Sequence, residues 1–174
     1  MNETNEMVIL VDEHDREIGV DEKMKTHKDG KLHRAFSIFI FNSRGEMLLQ
    51  KRAKNKYHSG GLWSNACCSH PRPGEDIKQA AHRRLIEEMG FDCDLKEAFD
   101  FIYKANLDHN LTEYEFDHVF IGKYDGKIKM NPNEVEDFKW ISIDDLKESV
   151  DKHPEKYTVW FRCALNEVLN FLLQ

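Results

Sequence analysis

The sequence predicts an α/β or α+β domain built on a mixed sheet. Three observations carry this reading. Apolar runs of strand character recur along the chain, a few stretches of helical periodicity fall between and after them, and no repeat, low-complexity segment or linker breaks the pattern. A length of 174 residues suits one core that buries roughly 70% of the surface the unfolded chain would expose.

Residues 7–11 are β-like, and the polar turn 12–15 followed by 17–20 points to an opening hairpin. A polar stretch, 21–31, contains His27, and His33 follows it. Residues 35–41 are apolar nearly throughout, which marks a strand covered on both faces. The turn Asn42-Ser43-Arg44-Gly45 leads to a second strand over 47–50 that ends in Lys51-Arg52, and a loop spans 54–61. The strongest helix signal is 76–89. It starts after Pro73-Gly74 with acidic residues expected in its first turn, stops at Gly90, and carries the stripe Ile77, Ala81, Leu85, Met89. Strands are expected over 92–104, 112–124 and 135–143, with Asp125-Gly126 marking a turn between the last two. Ser142 starts a short helix to about Val150. After Pro154, Tyr157, Trp160, Phe161, Ala164, Val168 and Leu172 recur at helical spacing.

The formal net charge is −7 with no long basic run, so a nucleic-acid backbone is not an expected partner and a small metabolite is. The first fifteen residues hold a short apolar run without a basic flank, which reads as neither signal peptide nor membrane span. A cytoplasmic location follows as the expectation. The cysteines Cys67, Cys68, Cys93 and Cys163 should then be reduced, and adjacent cysteines bridge each other only with strain. A thiolate zinc clip would need cysteines at paired spacings that Cys93 and Cys163 do not provide.

Glu88 is the first anomaly. At about 100° per residue it falls between Ile77 and Ala81 on the apolar stripe, where an unpaired carboxylate is too costly to bury. Arg84, one turn earlier, is the ordinary partner; a metal or phosphate role is the alternative. Next, Glu113 and Glu115 are i and i+2 of a strand-like segment and would face one side, unless they are the solvated face of an edge strand. With His27, His33 and His70 they make a nitrogen and oxygen donor set suited to Zn²⁺, Mn²⁺ or Fe²⁺, although each histidine taken singly is an ordinary surface residue. Cys68, in Asn65-Ala66-Cys67-Cys68-Ser69-His70-Pro71, would have its pKa lowered by a cationic site and could pair with a carboxyl group across a pocket. Cys67 reads as a small buried hydrophobe.

Residues 83–91, Arg83-Arg84-Leu85-Ile86-Glu87-Glu88-Met89-Gly90-Phe91, with Glu75 ahead, resemble the Nudix box G-x5-E-x7-R-E-U-x-E-E-x-G-U. Ser69 replaces the leading glycine, and Arg84 replaces an acid that helps bind Mg²⁺ in Nudix hydrolases. An arginine cannot ligate a cation but can hold a phosphate bidentately. Nearly the whole chain is similar to the type I isopentenyl-diphosphate isomerases. The segments are His27, Lys-Leu-His33-Arg-Ala-Phe, Gln50-Lys51-Arg52-Ala53, Gly61 through Pro71, Glu88-Met89-Gly90 and Glu113-Tyr114-Glu115.

That resemblance implies a Nudix-like mixed sheet sandwiched by helices. Residues 1–174 would form one domain, with 1–34 as an extension that contributes metal ligands. It implies Cys68 and Glu115 as the catalytic pair, with Tyr103 hydrogen-bonded to the carboxyl group. His27, His33, His70, Glu113 and Glu115 would ligate one Mn²⁺ or Zn²⁺. Glu88 would hold an Mg²⁺ that accompanies the diphosphate, aided by the Cys68 carbonyl. Lys23, Arg52, Lys56 and Arg84 would contact the diphosphate, and Trp160 would face the hydrocarbon, where core packing is its ordinary reading. The implied reaction interconverts isopentenyl and dimethylallyl diphosphate, in a monomer or weak dimer. The rivals are a Nudix pyrophosphohydrolase of a nucleoside diphosphate derivative and a metal-stabilised binding module.

Overall fold

The apolar run after His33 becomes the spine of the fold. In the computed structural model, which describes residues 6–174, the chain forms β1 (Met7–Val11), β2 (Glu17–Glu22), α1 (Lys23–Asp29), β3 (His33–Phe41) and β4 (Met47–Arg52). The short β5 (Trp63–Ser64) and β6 (Cys67–Ser69) precede α2 (Ile77–Met89), β7 (Leu95–Asn106), β8 (Thr112–Lys123) and β9 (Val135–Ile141). Two helices, α3 (Ile143–Lys152) and α4 (Val159–Leu172), complete the described elements. Residues 1–5 of the expected extension lie outside the described residues.

The described strands join one mixed sheet. β3 runs parallel to β8 and antiparallel to β1, β4 and β6. β7 pairs with β8, and β4 also carries β5 and β9. Side chains alternate along β3. Phe36, Ile38 and Ile40 pack against Ala81, Leu85 and Met89 of α2, while Phe39 and Phe41 pack against Phe161, Ala164 and Val168 of α4. Both faces are covered, as the unbroken apolar run predicts, and each such side chain contributes roughly 1.5–3 kcal/mol by leaving water.

The expected helix begins at Ile77. Asp76 is its cap, accepting from the Gln79 amide, and the first turn itself has no acid. Gly90 ends it at φ 73°, and a Cβ there would sit 2.3 Å from the Lys129 carbonyl oxygen, so both the backbone angle and the close approach require glycine.

Four expectations change. The polar stretch 21–31 contains α1, whose buried residues Lys23, Thr26 and His27 are polar and so leave no apolar stripe. β5 and β6 are too short to show alternation. β8 and β9 form no hairpin, because the chain after Asp125-Gly126 crosses to pair β9 with β4. Tyr157 is buried ahead of α4, whereas Leu172, in the last turn, is exposed.

Register does the positioning. The parallel pairing sets His33 beside Glu115, β6 sets Cys68 beside Ser37, and β7 sets Tyr103 beside Glu115.

Candidate active site

Backbone carbonyls orient two of the imidazoles. His27 Nδ1 lies 2.6 Å from the Lys23 oxygen and His33 Nδ1 lies 2.9 Å from the Lys31 oxygen. A carbonyl only accepts, so each Nδ1 carries the proton and each Nε2 turns a lone pair inward. There His27 Nε2 is 2.9 Å from Glu113 Oε1, and His33 Nε2 is 3.7 Å from the same oxygen and 3.2 Å from His70 Nε2. His27, His33, His70 and Glu113 each offer a ligand atom, all within 4.8 Å of one another. Burial and the neighbouring His33 hold His70 well below the usual histidine range, in the neutral form a ligand requires. Lone pairs converging with too few protons between them fit a divalent cation.

Glu115, the fifth expected ligand, borders this group rather than joining the tight four. Its Oε2 is 3.5 Å from His70 Nε2, and its Oε1 accepts from the Tyr103 hydroxyl at 2.5 Å. β8 is an interior strand, so Glu113 and Glu115 are buried and not a solvated edge. Burial, followed by the charge of Glu113, pushes Glu115 well above the usual carboxylate range. For Glu113 burial also opposes charge, yet a hydrogen bond from Glu115 helps hold it well below that range. The two carboxyl groups are thereby pushed in opposite directions.

Cys68 and Glu115 line one cavity with Tyr103, His58, Arg52 and Trp160. Its volume is about 30 Å³, room for roughly one or two waters. The Cys68 thiol accepts from Trp160 Nε1 at 3.0 Å. Its expected lowered pKa is not found: burial, with the nearby Asp117 charge, pushes it up to about 12. The positive charge of Arg52 works the other way and is outweighed by the burial of the enclosed sulfur. Cys67 packs in the core under α2, as expected.

Of the residues expected to contact the diphosphate, most are paired with acids. Lys23 Nζ is 3.2 Å from Glu6, Lys56 Nζ is 2.5 Å from Glu134, and Arg84 reaches Glu87 at 2.5 Å, Glu88 at 2.8 Å and Glu134 at 3.4 Å. Arg52 differs. It donates to the His58 carbonyl at 3.2 Å and lies 5.1 Å from the Trp160 ring, but its buried Nε has no partner. Glu88 is buried on α2, bonded to Arg84 and, at 3.1 Å, to Gln50. A wider cleft of about 620 Å³, lined by Arg72, Arg83, Arg84, Glu87 and Glu134, shares Ser69 and His70 with the small cavity.

Sequence reasoning missed several neighbours. His58 Nε2 is 3.1 Å from Glu113 Oε2, off the line of a hydrogen bond, and its ring meets Trp160 edge-on. Asp117 accepts from Ser37 and keeps one oxygen unpartnered. Extending the alternation of Glu113 and Glu115 by two residues would have found it. Glu134, in a polar loop, offered no such signal.

The sheet, the α2 helix laid across it and the acid and imidazole groups gathered where β3 and β8 begin define a Nudix protein. The family model described as the NUDIX domain matches residues 31–161. The fold is similar to crystal structures of a Deinococcus radiodurans protein (TM-score 0.70, 19% identity, 84% of this chain and 90% of that one) and of the MutT protein of Methanosarcina mazei (0.65, 20%, 78% and 91%). Within that class, the chain belongs to the isopentenyl-diphosphate Delta-isomerase family. It is 54% identical over 162 residues to the Photorhabdus laumondii protein named isopentenyl-diphosphate Delta-isomerase 2, covering 93% of this chain and 92% of that relative. It is 53% identical over 165 residues to the Aromatoleum aromaticum protein of the same name, covering 95% and 87%.

Proposed function

We propose that the chain interconverts isopentenyl diphosphate and dimethylallyl diphosphate, moving a double bond through a tertiary carbocation. One observation carries the mechanism: a thiol and a carboxyl group, Cys68 and Glu115, line a single buried cavity with the indole of Trp160. Protonating an unactivated alkene demands an acid, a base on another side of the hydrocarbon and exclusion of water. Cys68 and Glu115 are these two groups. In the forward direction one gives a proton to the terminal methylene carbon and the other takes one from C2. Tyr103 holds Glu115 in place, and Trp160 offers an electron-rich ring to the developing cation.

Lys23, Arg52, Lys56 and Arg84 hold the diphosphate, which is an anchor and not a leaving group. His27, His33, His70, Glu113 and Glu115 hold one Mn²⁺ or Zn²⁺, and Glu88 with the Cys68 carbonyl holds an Mg²⁺ beside the diphosphate. When bound, these ions supply the positive charge that stabilises the carboxylates and the diphosphate together. The small cavity must widen to seat a five-carbon unit, so substrate binding moves part of its wall. We read the enzyme as cytoplasmic, a monomer or weak dimer, without a nucleic-acid partner. No described helix is long and apolar enough to cross a membrane.

Isopentenyl diphosphate incubated with metal-loaded protein in heavy water tests the reading. Deuterium should enter the allylic product with no phosphate released. Phosphate release without isomer would favour a hydrolase, a reading that Arg84 in place of the box acid opposes.

A further inference from the structure

We infer that Asn65 is a positioning residue that fixes the Cys68 sulfur and the direction of its proton; the inference rests on Cys68 being a proton-transfer group. Asn65 is fully buried between β5 and β6. Its Nδ2 donates to the backbone oxygens of Ile38, at 3.0 Å, and Cys67, at 2.9 Å. Turning the amide over would set an oxygen against two acceptors, so one orientation is allowed. Oδ1 therefore faces Ser64 Oγ at 2.9 Å and Cys68 Sγ at 3.1 Å.

The sulfur's other partners complete the assignment. The indole N–H of Trp160 can only donate, so the sulfur accepts there and its own hydrogen must point elsewhere. Ser37 Oγ is 3.6 Å away, and its hydroxyl is committed to Asp117. Asn65 Oδ1 is the nearest acceptor for the thiol hydrogen. The sulfur is thus held from two sides, by α4 through Trp160 and by the central strand β3 through the bond from Asn65 to Ile38. Proton transfer to or from carbon needs such placement, since a shift of about 1 Å can cost on the order of 100-fold.

The infrared S–H stretch tests this without reference to activity. The difference spectrum between the wild type and Cys68→Ala isolates the Cys68 band. Asn65→Ala should move that band to higher frequency and lower kcat on the order of 10- to 100-fold, with KM nearly unchanged. An unmoved band, or an unchanged kcat, overturns the inference. Because Asn65→Ala also strips two buried carbonyls of their donor, the wild-type spectrum is a second arm. A Cys68 band at the position of an alkanethiol in hydrocarbon overturns the assignment whether or not the variant folds; a lower frequency upholds it. Cys68→Ala that retained isomerase activity would instead sink the catalytic reading of the thiol, leaving its hydrogen bond to be judged by the spectrum.

Discussion

Arg84→Ala should destabilise the protein far more than Glu88→Gln, and the two losses should not add. The side chains are 15% and 6% exposed and meet at 2.8 Å. Without Arg84, the buried Glu88 carboxylate keeps Gln50 as its remaining hydrogen-bond donor, at 3.1 Å. Removing one partner of a buried ion pair costs about 3–5 kcal/mol, most of it for the charge left behind. Glu88→Gln leaves Arg84 with Glu87 at 2.5 Å and Glu134 at 3.4 Å. Its cost should be about 1 kcal/mol, a single weakened hydrogen bond. In the double variant no charge is stranded, so the total should fall about 2 kcal/mol short of the sum. Equilibrium urea unfolding at pH 7 in the presence of a chelator measures all three, free of any cation held by Glu88. Arg84→Ala costing under about 1 kcal/mol, or strict additivity, would refute the claim that the pair is a coupled buried unit.

Cys68→Ala should abolish turnover while Cys67→Ala keeps substantial activity; the reverse outcome would mean that the other thiol reacts. Glu134 is drawn down to about 2: burial opposes its charge, but Lys56 and then Arg84 more than offset that. Its stabilisation is therefore complete above the ordinary carboxylate value of 4.5 and lost as pH falls toward about 2. Glu134→Gln should be less stable than the wild type by roughly 2 kcal/mol at pH 7, and the gap in urea midpoints should close on acidification. A gap independent of pH would contradict this. His58→Ala should weaken Mn²⁺ or Zn²⁺ binding about 10- to 100-fold by calorimetry, because it removes a support of Glu113; unaltered affinity would reduce His58 to a packing role.

The parts of the fold visible in the sequence are those where side-chain polarity follows geometry. β3 announces its two covered faces by seven consecutive residues, all but Ser37 apolar, and α2 announces its ends by Asp76 and Gly90. α1 was hidden because its inward face is Lys23, Thr26 and His27, turned toward the donor cluster and not toward a core. The site was legible to the degree that chemistry recurs at fixed spacing: Glu113 and Glu115 alternate on a strand, and Glu88 breaks a stripe. His58 and Glu134 lie in loops, where no period relates a residue to what it touches. Asn65 stood in the quoted motif, but its role depends on carbonyls from another strand. The thiol's raised pKa was illegible for the same reason. It depends on enclosure and on Asp117, which the register of β3 against β8 brings near.

Charge matching shapes the proposed anion site of this acidic chain, which is not simply positive. Lys23, Lys56 and Arg84 each face a carboxylate from a distant part of the sequence, respectively Glu6, Glu134 and, across from α2, Glu134 again. Their acids hold the long side chains in place, which would lower the entropy lost on binding a diphosphate there but would also cancel much of the attraction. Two sources of net positive charge remain: Arg52, which has no carboxylate partner among the described residues and keeps a buried Nε unpaired, and whatever divalent cation comes with the substrate. Placing Arg84 where a Nudix hydrolase has a metal-binding acid then has a second effect. It ties down Glu88 and Glu87, leaving fewer free carboxylates with which to activate a water against phosphorus. On the proposed mechanism, the same substitution that would keep the diphosphate intact would also hold it still while protons move on the hydrocarbon, a few side chains away, between Cys68 and Glu115.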